Sequence, residues 1–173
     1  MERYVTRHIV DDLREKMVFV GGPRQVGKTT LALSILQGDE THPAYLNWDF
    51  LEDKRDILGG KLPSNQNLIV FDEIHKYKEW RNWVKGLYDK RKSTTSFLIT
   101  GSARLDYYRK AGDSLQGRYH YYRLHPFSLF EVNPSPTQKK IWNHSSNTAA
   151  SRNRFWVSLI RNGNVGNGSA WQA

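Results

Sequence analysis

Apolar positions follow two different periods along the first three quarters of the chain. Helical spacing predicts helices over residues 5–14, 30–37 and 78–92, with a short helix inside 49–66. Apolar or tyrosine-rich runs predict strands at 17–20, 44–48, 67–71, 97–99 and 118–124. Because strands alternate with helices, the pattern predicts a three-layer α/β domain with a mostly parallel five-stranded sheet, preceded by a short N-terminal helix.

Composition and charge exclude several classes of protein. The 173 residues include no cysteine, which removes disulfide scaffolds, thiolate metal sites and cysteine nucleophiles. No run approaches the roughly 18 apolar residues of a membrane span, and the first residues lack a signal core, so a cytoplasmic protein is predicted. Residues 1–131 carry 21 Lys and Arg against 17 Asp and Glu, a net charge of only +4. Nucleic acid is therefore a less favoured partner.

The segment after the first predicted strand has the pattern of a phosphate-binding loop, G-x-x-x-x-G-K-[ST], between a strand and a helix. Its backbone N–H groups are expected to cradle phosphates, Lys28 to reach the β- and γ-phosphates, and the Thr29 hydroxyl to bind Mg²⁺. The predicted nucleotide-binding residues are Gly22, Pro23, Arg24, Gln25, Val26, Gly27, Lys28, Thr29 and Thr30.

Two acids follow the apolar run LIVF, at the strand end where open parallel sheets bind ligands. Asp72 is predicted to hold Mg²⁺ through water, and Glu73 to act as a general base that activates water. His75 is nearby, but a lone histidine here is more often a structural or surface group.

Further candidates surround the fourth and fifth strands. Thr100 and Ser102 follow the fourth strand and are predicted to orient the attacking water, with a plain turn at Gly101 as the competing interpretation. Arg104 and Arg118 are candidate γ-phosphate sensors or fingers, although surface arginines are common.

Four strings, GGPRQVGKTT, LIVFDEIHK, SFLITGSARLD and LQGRYHYYRLHPFSLFE, carry a family resemblance over about residues 1–131. The chain resembles the AAA-domain ATPases of bacteria and archaea that usually carry a C-terminal domain of unknown function. The resemblance implies an AAA-like strand order and ATP binding, with an unidentified protein client. It also implies that Asp72 binds magnesium, that Glu73 acts in catalysis and that the turn at residues 100–102 senses the nucleotide. The residues that it assigns to nucleotide binding are Gly22, Gly27, Lys28, Thr29 and Thr30.

Residues 132–173 differ from the rest of the chain. They contain no acid but seven Asn and three of the six Trp, without periodicity, so an irregular or disordered tail is predicted. A one-base frame shift permits DLEPFFKYGGFPEPFLG in place of residues 141–157. The tail is therefore predicted to be out of frame, with the chain truncated after about residue 138.

The leading functional prediction is Mg-dependent ATP hydrolysis. Hydrolysis is expected to be slow, because the elements that usually close such sites lie C-terminal to the sheet, where the chain is predicted to be truncated. One alternative is an ATP-binding remnant without turnover. Another is a phosphotransferase, against which stand the adjacent acids and the lack of an acceptor signature. A DNA-acting motor ranks last.

Overall fold

The structure, a computed structural model, describes residues 3–102, 105, 115–128 and 131. Its strands are β1 (Met17–Gly21), β2 (Tyr45–Asn47), β3 (Leu68–Asp72), β4 (Ser96–Thr100) and β5 (Tyr119–Arg123). The helices are α1 (Thr6–Asp12), α2 (Lys28–Leu36), α3 (Leu51–Leu58) and α4 (Trp80–Arg91), with a 3-10 helix at Ile74–Lys76. No helix in this part of the chain is long and apolar enough to cross a membrane.

The strands form one five-stranded sheet in the order β2-β3-β4-β1-β5, and every neighbouring pair is parallel. All residues of β1 and β3 are buried, because helices cover both faces of the sheet. This explains why these strands read as continuous apolar runs and not as alternating ones. The predicted α/β class and parallel five-stranded sheet are confirmed.

Aromatic side chains fill the layer between the sheet and α4. The Phe71 ring meets Trp83 edge-on at 5.2 Å between centroids, and Phe19 lies 5.8 Å from Trp80. Trp80 and Val84 are buried, as their helical spacing predicts. On the opposite face α2 contacts β3 and β4, and α1 contacts α2 and β1, which completes the three layers.

Gln37 and Gly38 form the C-terminal end of α2. Gln37 takes the left-handed conformation with φ 57°, and the Gly38 N–H donates to Leu33 O at 3.2 Å. A Cβ on Gly38 would lie 2.8 Å from the His42 ring. Gly38 is therefore needed for close approach to His42, and Gln37 provides the turn.

The strand register brings three segments to one edge of the sheet. Thr100, at the end of β4, is the register partner of both Val20 in β1 and Asp72 in β3. The loop after β1, the acids at the end of β3 and the turn after β4 therefore leave the sheet side by side. This is the carboxyl edge, where ligands of parallel sheets bind.

Candidate functional site

The loop between β1 and α2 has the backbone of an anion-binding turn. Gln25 and Gly27 have φ values of 64° and 86°, in the left-handed region. Gly27 is the N-cap of α2, so the N-terminus of this helix lies at the end of the loop. Gly22 is required for another reason, because a Cβ there would lie 2.3 Å from the backbone oxygen of Leu124.

Lys28 places a positive charge inside this loop. It is 8% exposed, and its Nζ donates to Gly22 O at 3.2 Å and Pro23 O at 2.6 Å. Burial lowers the pKa of the Lys28 ammonium, the charge of Arg24 acts in the same direction, and Glu73 and Asp72 oppose both. The loop carbonyls therefore hold the ammonium near the N-terminus of α2. The ammonium and the helix N-terminus both favour the binding of an anion at this place.

Asp72 accepts hydrogen bonds from hydroxyl groups of three different elements. Thr29 and Tyr45 donate to Oδ2 at 2.7 and 2.9 Å, and Thr100 donates to Oδ1. The carboxylate is 3% exposed. Burial next to Asp72, together with the hydrogen bond to it, raises the pKa of the Tyr45 phenol. The three donors hold Asp72 in a single orientation beside the start of α2.

Tyr45→Phe is expected to lower the free energy of unfolding by about 1.5 to 3 kcal/mol, because a buried hydrogen bond to a charged group is lost. Denaturant unfolding monitored by circular dichroism measures the change. Tyr77→Phe is the matched control, since no hydrogen bond involves its hydroxyl within the described residues. Equal small effects of the two substitutions would show that the Tyr45 hydroxyl does not hold Asp72.

Glu73 leaves the end of β3 in a left-handed conformation, with φ 57°. Its N–H donates to Thr100 O at 3.0 Å, which ties it to the end of β4. Lys76 Nζ lies 3.2 Å from Glu73 Oε2 and also pairs with Asp49. Partial burial works against the charged lysine, but hydrogen bonds to Asp49 and Glu73 outweigh it and raise the pKa of Lys76. The Glu73 carboxylate is thus held beside the loop.

A cavity of about 600 Å³ adjoins Glu73. The Ser102 hydroxyl oxygen lies 3.1 Å from His75 Nε2 at its wall. Arg24, from the exposed tip of the loop, also lines the cavity. The cavity therefore brings together a carboxylate, a hydroxyl and a guanidinium, the groups that can orient water and receive an anionic phosphate. Its lining residues are Arg24, Glu73, His75, Lys76, Tyr77, Lys78, Trp80 and Ser102.

Most of the predicted site residues meet at this edge, with two exceptions. Arg104 lies outside the described residues. Arg118 precedes β5, whose first residue pairs with Met17 at the start of β1, so it lies at the opposite edge of the sheet. There its guanidinium binds exposed Asp89 at 2.9 Å. The fold therefore does not bring Arg118 to the phosphate loop of its own chain, which corrects that expectation.

Thr100 also has a different environment from the predicted one. It is 1% exposed and its hydroxyl donates to Asp72, so it supports the carboxylate and does not face the cavity. Ser102 does line the cavity. Sequence reasoning missed Tyr45, because only the β2–β3 register, with Asn47 opposite Asp72, brings β2 next to the acids. His75, predicted to be a structural or surface group, is buried and contacts Ser102.

The oxygen groups near the loop fit a magnesium ion. The Thr29 hydroxyl and the Asp72 carboxylate lie 2.7 Å apart, and both are ligand types that Mg²⁺ prefers. The part of the chain that the structure describes holds no cluster of three or more His, Cys, Asp or Glu that could bind a metal alone. These side chains therefore suit an ion that takes its other ligands from water and phosphate.

Comparison with known families agrees with this geometry. A family model described as an AAA domain matches residues 14–133, more than half of the chain. The chain belongs to this AAA-domain family. Membership indicates nucleotide binding of the ATPase type, in keeping with the loop, helix N-terminus and acids at one sheet edge. No curated protein matches the chain significantly.

Proposed function

We propose that this AAA domain binds Mg-ATP at the loop of residues 22–30 and hydrolyses its γ-phosphate. The observation that carries the proposal is the meeting of Lys28, Asp72 and Glu73 at the carboxyl edge of one parallel sheet. A protein that only bound the nucleotide would need only the loop. The buried, triply hydrogen-bonded Asp72 and the adjacent Glu73 add the groups that hydrolysis requires.

Binding uses charge and backbone dipoles together. The loop N–H groups and the N-terminus of α2 receive the phosphate oxygens, and Lys28 neutralises the β- and γ-phosphates. Thr29 and Asp72 hold the magnesium ion, which supplies charge stabilisation to the phosphates when bound. Asp72 would hold the ion through water, since its oxygens already accept hydrogen bonds from three hydroxyl groups.

Hydrolysis needs a base on the cavity side of the γ-phosphate. Glu73 accepts a proton from water as the water oxygen bonds to the γ-phosphorus. The bond from that phosphorus to the oxygen bridging to the β-phosphate breaks, and ADP leaves with that electron pair. Ser102 and Arg24 line the same cavity, where they orient the water and stabilise charge on the transferred group.

The domain is proposed to use ATP hydrolysis to act on a protein partner in the cytoplasm. Release of the cleaved phosphate removes negative charge from the edge where β1, β3 and β4 end, so the segments that follow these strands are the first to lose their contacts with it. A nucleic-acid partner is less favoured, because residues 1–131 carry a net charge of only +4 (21 Lys and Arg minus 17 Asp and Glu).

The test is Mg-ATP binding and phosphate release by the full chain and by Lys28→Ala. The substitution should weaken Mg-ATP binding about 10- to 100-fold, because charge-assisted hydrogen bonds to phosphate are lost. Lys90→Ala, an exposed lysine in the last turn of α4, is the matched control and should bind as the wild type does.

Three other results would contradict the proposal. Binding that depends on Lys28 without turnover would make the chain a nucleotide-binding remnant. ADP release only in the presence of an added acceptor would make it a phosphotransferase. Equal binding by Lys28→Ala and Lys90→Ala would place the nucleotide elsewhere.

A further inference from the structure

One nitrogen of the His75 ring faces two of the residues that the proposed hydrolysis uses. His75 Nε2 lies 3.1 Å from the Ser102 hydroxyl oxygen and 3.8 Å from Glu73 Oε2. Ser102 follows β4, whereas Glu73 follows β3. The imidazole therefore bridges the two segments that carry the base and the cavity hydroxyl.

The surroundings of His75 hold the ring in this position. The residue is 8% exposed, and a Cβ on Gly101 would lie 2.5 Å from His75 Nδ1. The absence of a side chain at Gly101 is therefore what lets the ring reach Ser102. The hydrogen bond from the Glu73 N–H to Thr100 O joins the same two segments through the backbone. The ring therefore packs directly against the backbone of Gly101, which follows β4.

We infer that His75 is a positioning residue that sets the Glu73 carboxylate relative to the Ser102 hydroxyl, an inference that rests on the proposed hydrolysis. Glu73 contacts Lys76 through Oε2 at 3.2 Å, but that ammonium also binds exposed Asp49. The buried ring is the more constrained neighbour. It lies between Ser102, at the cavity wall, and the base, so the position of the ring sets the spacing of these two groups.

Paired substitutions of similar length separate this role from packing. His75→Met removes the polar contact and should lower kcat about 10- to 100-fold, since misplacement by about 1 Å has effects of this size. The KM for Mg-ATP should stay within about twofold, because the phosphate loop is unchanged. His75→Gln restores a polar group at similar reach and should recover most of kcat.

A second readout does not depend on turnover. Spectra of the full chain with ¹⁵N-labelled histidine contain six imidazoles, and comparison with His75→Gln assigns the His75 ring. Ser102→Ala should shift the His75 ring nitrogens. Ser64→Ala, an exposed serine in the segment between α3 and β3, is the control and should leave them in place.

The outcomes distinguish this inference from the proposed function. Absence of Lys28-dependent turnover, with a His75 ring that still responds to Ser102→Ala, would overturn the hydrolysis and leave the contact standing. Normal turnover in His75→Met would overturn the inference. So would equal kcat in His75→Met and His75→Gln with only the melting temperature lowered, because that pattern indicates packing alone.

Discussion

Glu73→Gln is expected to lower kcat for Mg-ATP about 10²- to 10⁴-fold, the usual contribution of a general base. The amide has nearly the same shape as the carboxylate but does not accept a proton from water. Glutamine also tolerates the left-handed backbone of this position, where φ is 57°, about as well as glutamate does. The substitution should therefore leave the fold and the phosphate loop intact.

Two measurements on the same preparation check this expectation. Phosphate release gives kcat, and binding of Mg-ATP to Glu73→Gln should match wild-type binding within about twofold, because Glu73 interacts with the water and not with the phosphate oxygens. Glu79→Gln provides the control, since Glu79 is an exposed glutamate at the start of α4. Similar kcat values for Glu73→Gln and the wild type would exclude Glu73 as the base.

The sheet edge could be predicted from local patterns because parallel strands share a direction. The buried runs of β1 and β3 and the Gly-Lys-Thr loop indicate strands whose carboxyl ends meet. Strand direction therefore predicts that Asp72 and Thr100 lie together at this edge. The same argument places Arg118 away from the phosphate loop of its own chain, because it stands at the start of β5 and not at its end. Strand direction was thus a stronger guide to the site than residue type.

Contacts set by tertiary register could not be predicted in the same way. Tyr45 reaches Asp72 because β2 pairs with β3 at one particular register, and a shift of one residue would turn the phenol to the other face. His75 contacts Ser102 only because Gly101 leaves space for its ring. Neither the register of β2 with β3 nor the space beside Gly101 can be inferred from the spacing of residues along the chain.

Arg3 and Glu131 form a contact that joins the two ends of the described domain. Arg3 Nε donates to Glu131 Oε1 at 2.8 Å, and the two residues are 5% and 6% exposed. The same guanidinium donates to Val26 O in the phosphate loop at 2.9 Å and to His125 O, and it lies 4.1 Å from the centroid of the Phe127 ring. A buried arginine thus connects the loop to the segment that follows β5.

Glu131→Ala is expected to lower the free energy of unfolding by about 3 to 5 kcal/mol, because it leaves the Arg3 charge buried without its carboxylate. Denaturant unfolding near pH 7 measures the loss. Asp89→Ala is the control: it breaks the solvent-exposed pair with Arg118, so its effect on stability should be much smaller. The double variant Arg3→Met, Glu131→Ala should recover part of the loss, since no unpaired charge remains.

The effect of Glu131→Ala should also depend on pH. Burial alone would raise the pKa of Glu131, but hydrogen bonds from the Ser128 N–H, Arg3 and the Tyr4 N–H outweigh it and lower the pKa. A carboxyl whose pKa is lower in the folded state contributes its full stability above its unfolded pKa of about 4.3. That contribution is lost as the pH falls through the folded value. The gap in stability between wild type and variant should therefore be constant from pH 6 to 8 and shrink below about pH 4. A gap that stayed the same at low pH would mean that lost packing, and not the ion pair, destabilises the variant.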